Sequence, residues 1–222
     1  HRIVGETSQI AMPECGIGLV PDVGGSLMLA RAPGRMGEYL GLTTARMGPS
    51  DAIYAGFADT YIPKLKWEQT LKTLEDTGEL AAIEAASEDA PTGTLPSRQA
   101  DIDANFGGET LRDITNALTA DGGDFATDAL KRLSRNSPLS MAAGVEIIHR
   151  LRGPGADIRR AVELEYRFTH RAMEHGDFLE GVRAAVIDKD RSPKWQHDLT
   201  TPISLAVTRM LMPLGADKLT FD

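Results

Sequence analysis

Two short β-like runs share this chain with about 150 residues of helical pattern, and that imbalance limits the possible folds more than any other feature. Thr7-Ser8-Gln9-Ile10-Ala11-Met12 alternates roughly polar and apolar, and Ala58-Asp59-Thr60-Tyr61-Ile62 does so before Pro63. Two isolated strands do not make a stable sheet, so they need partners from elsewhere in the fold or from another chain. Between them, Gly and Pro stops separate predicted helices at about 25–31, 36–42 and 49–55. From Lys64 onward the pattern is almost wholly helical, at about 65–76, 79–87, 108–119, 124–135, 138–151, 156–174 and 178–187. Glu88–Pro96 is the best linker candidate. The expected organisation is a glycine- and proline-rich part, 1–63, that carries the strands, followed by a helical region, 64–222.

Composition closes off several function classes. A chain of 222 residues with 41% hydrophobic residues can bury a sizeable core. Its 24 Lys and Arg against 32 Asp and Glu, net charge −8, argue against a nucleic-acid partner. No run approaches the ~18 apolar residues of a membrane span, and no basic-then-apolar leader opens the chain. The expectation is a cytoplasmic protein with no membrane partner. The single Cys15 rules out a disulfide framework and a cysteine-based zinc site. It lacks an activating cation nearby in sequence and reads as an inert packed residue. His1, His149, His170, His175 and His197 show no i,i+4 pair, so no metal is expected.

The chemically informative stretch runs from Ala11 to Gly25: Ala-Met-Pro-Glu-Cys-Gly-Ile-Gly-Leu-Val-Pro-Asp-Val-Gly-Gly. Glu14 and Asp22 bracket a loop of glycines and prolines that leads from a strand into a helix. Glycines let backbone approach a ligand closely, and paired carboxylates in unlike environments can divide base or nucleophile work from acid or orienting work. Spacing alone also allows Asp22 as a helix N-cap and Glu14 as a solvated loop carboxylate. Gly16-x-Gly18 is not a dinucleotide fingerprint, because Pro21 stands where the third glycine belongs.

The stretch resembles the crotonase (enoyl-CoA hydratase/isomerase) superfamily, and within it most resembles the 3-hydroxyisobutyryl-CoA hydrolase family. Met12-Pro13-Glu14 and Pro21-Asp22-Val23-Gly24-Gly25 carry the likeness, with Gly41-Leu42-Thr43, Arg46, Asp51-Ala52 and Ala55–Asp59 following. Typical hydratases have a small residue where this chain has Asp22. Asp177–Ala184, Ile187–Asp190 and Ser192-Pro193-Lys194-Trp195 are similar to that family's C-terminal signature; Glu165-Tyr166-Arg167, Asn105-Phe106 and Asn136-Ser137-Pro138 also fit. The resemblance is weakest over 64–100 and after 200.

The resemblance implies an α/β crotonase (ClpP-like) spiral fold, of which this chain covers the last strands and the helical C-terminal part. It implies hydrolysis of 3-hydroxyisobutyryl-CoA, a step of valine breakdown, with CoA as part of the substrate and no separate cofactor. Carried over residue by residue, Glu14 acts at the thioester carbonyl as nucleophile or base, and Asp22 holds the substrate hydroxyl or assists proton transfer. Gly18, Val20, Gly24 and Gly25 line the substrate. The two N–H groups of the superfamily's oxyanion hole are expected on segments upstream of His1. The chain alone is therefore expected to lack activity, and the missing N-terminal part of the same domain is an expected partner. A homo-oligomer is a further expectation by analogy. Two alternatives are an enoyl-CoA hydratase/isomerase and an inactive structural or oligomerisation module.

Asp177 and Glu180 have capping-box spacing, the structural explanation of both. Over 156–174, Ile158, Ala161, Val162, Phe168, Ala172 and Met173 form one stripe with Glu165 in its middle. A buried carboxylate needs a partner, and Arg183 is the candidate. Lys189, Arg191 and Lys194 form a solvated basic cluster, and Trp195 is expected to anchor the tail by burial.

Overall fold

A computed structural model describes His1–Phe221. The helices in chain order are α1 (Gly25–Arg31), α2 (Met36–Thr43), α3 (Pro49–Tyr54), α4 (Trp67–Thr77), α5 (Ala81–Ala86), α6 (Leu95–Asn105), α7 (Leu111–Asp121), α8 (Asp124–Leu133), α9 (Pro138–Leu151), α10 (Ile158–His175), α11 (Phe178–Val182) and α12 (Ser204–Leu211). The strands are β1 (Ile3–Val4) and β2 (Thr60–Tyr61). Contacts group the chain into two units, one of His1–Ala11 with Arg46–Gln99 and one of Met12–Ala45 with the chain from Ala100 onward. Residues 1–63 are thus shared between both.

In the first unit β1 and β2 pair in parallel, Ile3 opposite Thr60 and Val4 opposite Tyr61. The strand expected over 7–12 is reduced to one antiparallel bridge between Ile10 and Met47. Residues 5–8 close on themselves instead: Ser8 N–H donates to the Gly5 carbonyl, and Gly5 N–H to Ser8 Oγ. Pro13 then has no N–H to extend a ladder. The expected linker 88–96 ends in an unforeseen helix, α6. Asp51 Oδ1 on α3 accepts from Thr94 N and Leu95 N, both at 2.8 Å, and so satisfies the first donors of α6 from a distance.

The second unit is a helical core around α9, whose Leu139, Met141, Val145, Ile147 and Ile148 are buried. Ser137 caps α9 by accepting from Ser140 N, with Pro138 at the first helical position. α1 and α2 meet so closely that a Cβ on Gly37 would collide with the Leu29 carbonyl. On α10, Asp157 caps the start, and Ala161, Leu164, Glu165, Phe168 and Ala172 face inward. The expected stripe is corrected at its ends, where Ile158 and Met173 are exposed. The last expected helix, 178–187, stops at Val182, and Arg183–Ile187 wind on as a π turn. α12 was not expected. Arg171 on α10 donates to the Met210 and Met212 carbonyls and ties down its C-terminal end.

The capping box expected at Asp177 and Glu180 does not form. Asp177 is buried and accepts from Ser137 Oγ at 2.6 Å and Gln196 N at 3.0 Å. Glu180 pairs with Arg183 at 2.8 Å. The half-buried Trp195 donates its indole N–H to the Arg135 carbonyl, which helps hold the tail.

Candidate active site

Pro13 leads into a tight 3-10 turn, Glu14–Ile17, in which Gly16 N–H reaches back to the Pro13 carbonyl. Gly18 then reverses the chain at φ +81°, and Leu19 N–H bonds the Glu14 carbonyl. Glycine is required here twice over. Besides its left-handed backbone, a Cβ on Gly18 would lie 2.5 Å from the Asp177 carbonyl carbon. From the other side, a Cβ on Gly181 would collide with the Ile17 carbonyl. The turn is further fastened by Ser137 N–H donating to the Cys15 carbonyl at 2.9 Å. Cys15 is fully buried, and burial pushes its thiol pKa far up, which fits the inert role expected of it.

This frame holds the half-buried Glu14 with its Oε2 atom shielded and without a hydrogen-bond partner among the described residues. Burial, against a backbone hydrogen bond that opposes it, pushes the Glu14 carboxyl from an ordinary 4.5 to about 7; the negative charges of Asp22 and Glu165 add to the rise. Asp22 is also raised, by burial. It does not cap α1. The N-cap is Gly24 at φ +84°, without a side-chain capping bond, and Gly25 N–H closes back on the Asp22 carbonyl at 2.7 Å.

The capping of α1 comes from Glu165 on α10. Its carboxylate accepts from Gly24 N at 2.9 Å, Ser26 N at 3.2 Å and the Ser26 hydroxyl. The expected Glu165–Arg183 pair is therefore corrected: Arg183 serves Glu180, Asp188 and Asp190 instead. Periodicity placed Glu165 inside, where it is 2% exposed. Its partners carry no sequence signature, because they are mostly backbone N–H groups.

The other expected site residues sit on the same loop. Val20 is fully buried, and a Cβ on Gly24 or Gly25 would run into Ile158 or Met12. Val23, next to Asp22, is 89% exposed. Lys189, Arg191 and Lys194 are exposed. His149 contacts the buried Glu38 at 3.2 Å. Among the described residues no cluster of His, Cys, Asp and Glu is arranged to hold a metal ion, and no helix is long and apolar enough to cross a membrane.

Together, the loop carries a carboxyl with one shielded, unpartnered oxygen and a pKa pushed up to about 7, and a second carboxylate whose charge it feels, a pairing suited to proton transfer or nucleophilic attack. Residues 1–211 match the family model for enoyl-CoA hydratase/isomerase, and the chain belongs to that family, the crotonase superfamily. Mitochondrial 3-hydroxyisobutyryl-CoA hydrolase of Mus musculus is 35% identical over 212 residues, covering 88% of this chain and 53% of that protein. The Homo sapiens protein of the same name is 31% identical over 238 residues, covering 99% and 60%. An enoyl-CoA hydratase structure from Rhodobacter sphaeroides 2.4.1 superposes with TM-score 0.93 at 56% identity, over 100% of this chain and 64% of that one. A carnitinyl-CoA dehydratase from Mycobacterium thermoresistibile gives TM-score 0.91 at 32% identity, over 100% and 64%. The fold is the crotonase fold, and the chain spans between about half and two thirds of these relatives' lengths.

Proposed function

We propose that the protein carrying this chain is an acyl-CoA thioester hydrolase whose substrate is 3-hydroxyisobutyryl-CoA, in valine breakdown. The observation that supports it most is Glu14: half-buried, unpartnered at Oε2 and with its pKa pushed up to about 7, with Asp22 on the same loop. A carboxyl with a pKa near the working pH is best placed to take and return a proton. In one route Glu14 removes a proton from water as its oxygen bonds the thioester carbon. The C–S bond then breaks, and the proton passes to the departing CoA thiolate. In the other, Glu14 itself attacks the carbonyl, CoA leaves, and water opens the resulting anhydride. Asp22 receives the substrate hydroxyl or relays the proton. The turn backbone at Gly18, Val20, Gly24 and Gly25 lines the acyl group.

The oxyanion donors are proposed to lie in the upstream part of the same domain. Losing even one such donor costs about 100- to 1000-fold. No separate cofactor is involved, and a homo-oligomer and a cytoplasmic location belong to the same proposal. Cell fractionation tests the location, against the mitochondrial names of the curated relatives.

A second reading, enoyl-CoA hydration or isomerisation, is favoured by the 56% identity to the Rhodobacter structure of that name. Free-thiol release from 3-hydroxyisobutyryl-CoA, run beside hydration of a 2-enoyl-CoA, separates the two. Thiol release that is lost in Glu14→Gln and Asp22→Asn supports hydrolysis. Hydration without thiol release overturns it.

A further inference from the structure

We propose that Glu165 is the positioning residue of this site: from α10 it holds the Asp22–Ser26 turn in its working shape and sets the field in which Glu14 exchanges its proton. The inference rests on the reading of Glu14 and Asp22 as the reacting carboxylates, and adds a third group 141 positions downstream of Gly24.

The turn that presents Asp22 is an unfavourable one. Val23 at φ +49° and Gly24 at φ +84° are consecutive left-handed residues, and a β-branched side chain rarely adopts that backbone. Such a shape persists only where its surroundings over-determine it. Here Gly24 N, Ser26 N and the Ser26 hydroxyl all converge on the Glu165 carboxylate, while Gly25 N–H ties the same turn to the Asp22 carbonyl.

Capping alone does not explain the choice of residue. A short neutral side chain next to α1 would satisfy these donors without burying a charge. Instead a carboxylate is carried across from another helix, at 2% exposure, among Ala161, Leu164, Phe168 and Ala172. It sits near two more carboxylates that it can only repel. The charged groups facing Glu14 are Asp22 on its own loop and Glu165 on α10. Asp177, just before α11, is turned to Ser137, and Glu180 on α11 to Arg183. Removing the charge of Glu165 should therefore be felt at Glu14 as well as at the turn.

The test compares Glu14→Gln, Asp22→Asn, Glu165→Gln and Ser26→Ala in the whole protein that carries this chain. Free-thiol release from 3-hydroxyisobutyryl-CoA is followed against pH, together with a carbon-13 titration of the Glu14 carboxyl that needs no turnover. Glu165→Gln is expected to lower kcat about 100-fold with KM changed less than about twofold, since displacement of a reacting group by about 1 Å has that effect. The Glu14 midpoint should fall. Ser26→Ala keeps the charge and loses one donor, for a kcat loss of about fivefold. An unmoved kcat and Glu14 midpoint in Glu165→Gln, with only a lower Tm, would overturn the proposal. If Glu165→Gln does not fold, an unchanged kcat in Ser26→Ala overturns it instead. Undiminished hydrolysis in Glu14→Gln and Asp22→Asn would sink the reading of the site itself, a separate outcome.

Discussion

Glu14 and Glu38 are the same residue type in the same unit, the first half-buried and the second buried, and their surroundings are opposite. Glu38 has a fully buried side chain held by two guanidinium groups and an imidazole: Arg152 at 2.5 Å, Arg35 at 3.1 Å and His149 at 3.2 Å. Burial pushes its pKa up, but the bonds from His149, Arg152, its own backbone and Arg35 outweigh that and hold the carboxyl below its usual range. Glu14 meets only negative charge, from Asp22 and Glu165, and rises to about 7. Depth alone therefore does not decide, since the deeper of the two carboxylates is the one held low. The neighbours do: Glu38 is locked as an anion that ties α2 to α9, whereas Glu14 is left free to gain and lose a proton.

Substitutions can break this contrast. Glu14→Gln has the largest expected effect, a fall of about 1000-fold in thioester hydrolysis by the whole protein, measured as free-thiol release. Its Tm near neutral pH should hold or rise, because a partly buried charge repelled by Asp22 and Glu165 gives way to a neutral amide. Glu38→Gln should do the reverse. It leaves Arg35 and Arg152 facing an amide, and urea unfolding should show a loss of about 3 kcal/mol, with kcat per folded molecule unchanged. Gly181→Ala comes next, at about 2 kcal/mol, because its Cβ meets the Ile17 carbonyl; kcat should fall with it, since the Glu14 turn must shift.

The smallest effect sharpens the comparison through pH. Glu14 binds its proton more tightly folded than unfolded, so its contribution to stability is full below about 4.5 and is lost as pH rises through about 7. Glu38 has the opposite sign: its contribution is present above its unfolded pKa and is lost as pH falls through its lowered folded one. In urea titrations across pH, Glu14→Gln should flatten the slope between 4.5 and 7, and Glu38→Gln should flatten the acidic side.

What sequence reasoning could see follows the range of each signal. α1 and α9 start where local punctuation puts them, at Gly24-Gly25 and Ser137-Pro138, although the first donors of α1 are met from afar by Glu165. α6 and α12 escaped because the groups that satisfy their ends, Asp51 and Arg171, lie far away in sequence. The strand expected over 7–12 failed because Gly5 and Ser8 close a turn that its alternation does not register. At the site, Glu14 and Asp22 stood out through the glycine loop and its family likeness. Glu165 was visible as a buried acid, but its purpose was not, since a carboxylate that accepts from backbone N–H groups leaves no complementary residue to find.

The most direct test is a carbon-13 titration of the Glu14 carboxyl in the whole protein. A midpoint near 7, well above that of Glu38, is the expected result. A midpoint at or below the ordinary 4.5 would mean that Glu14 is a solvated or paired loop carboxylate, and would contradict the account.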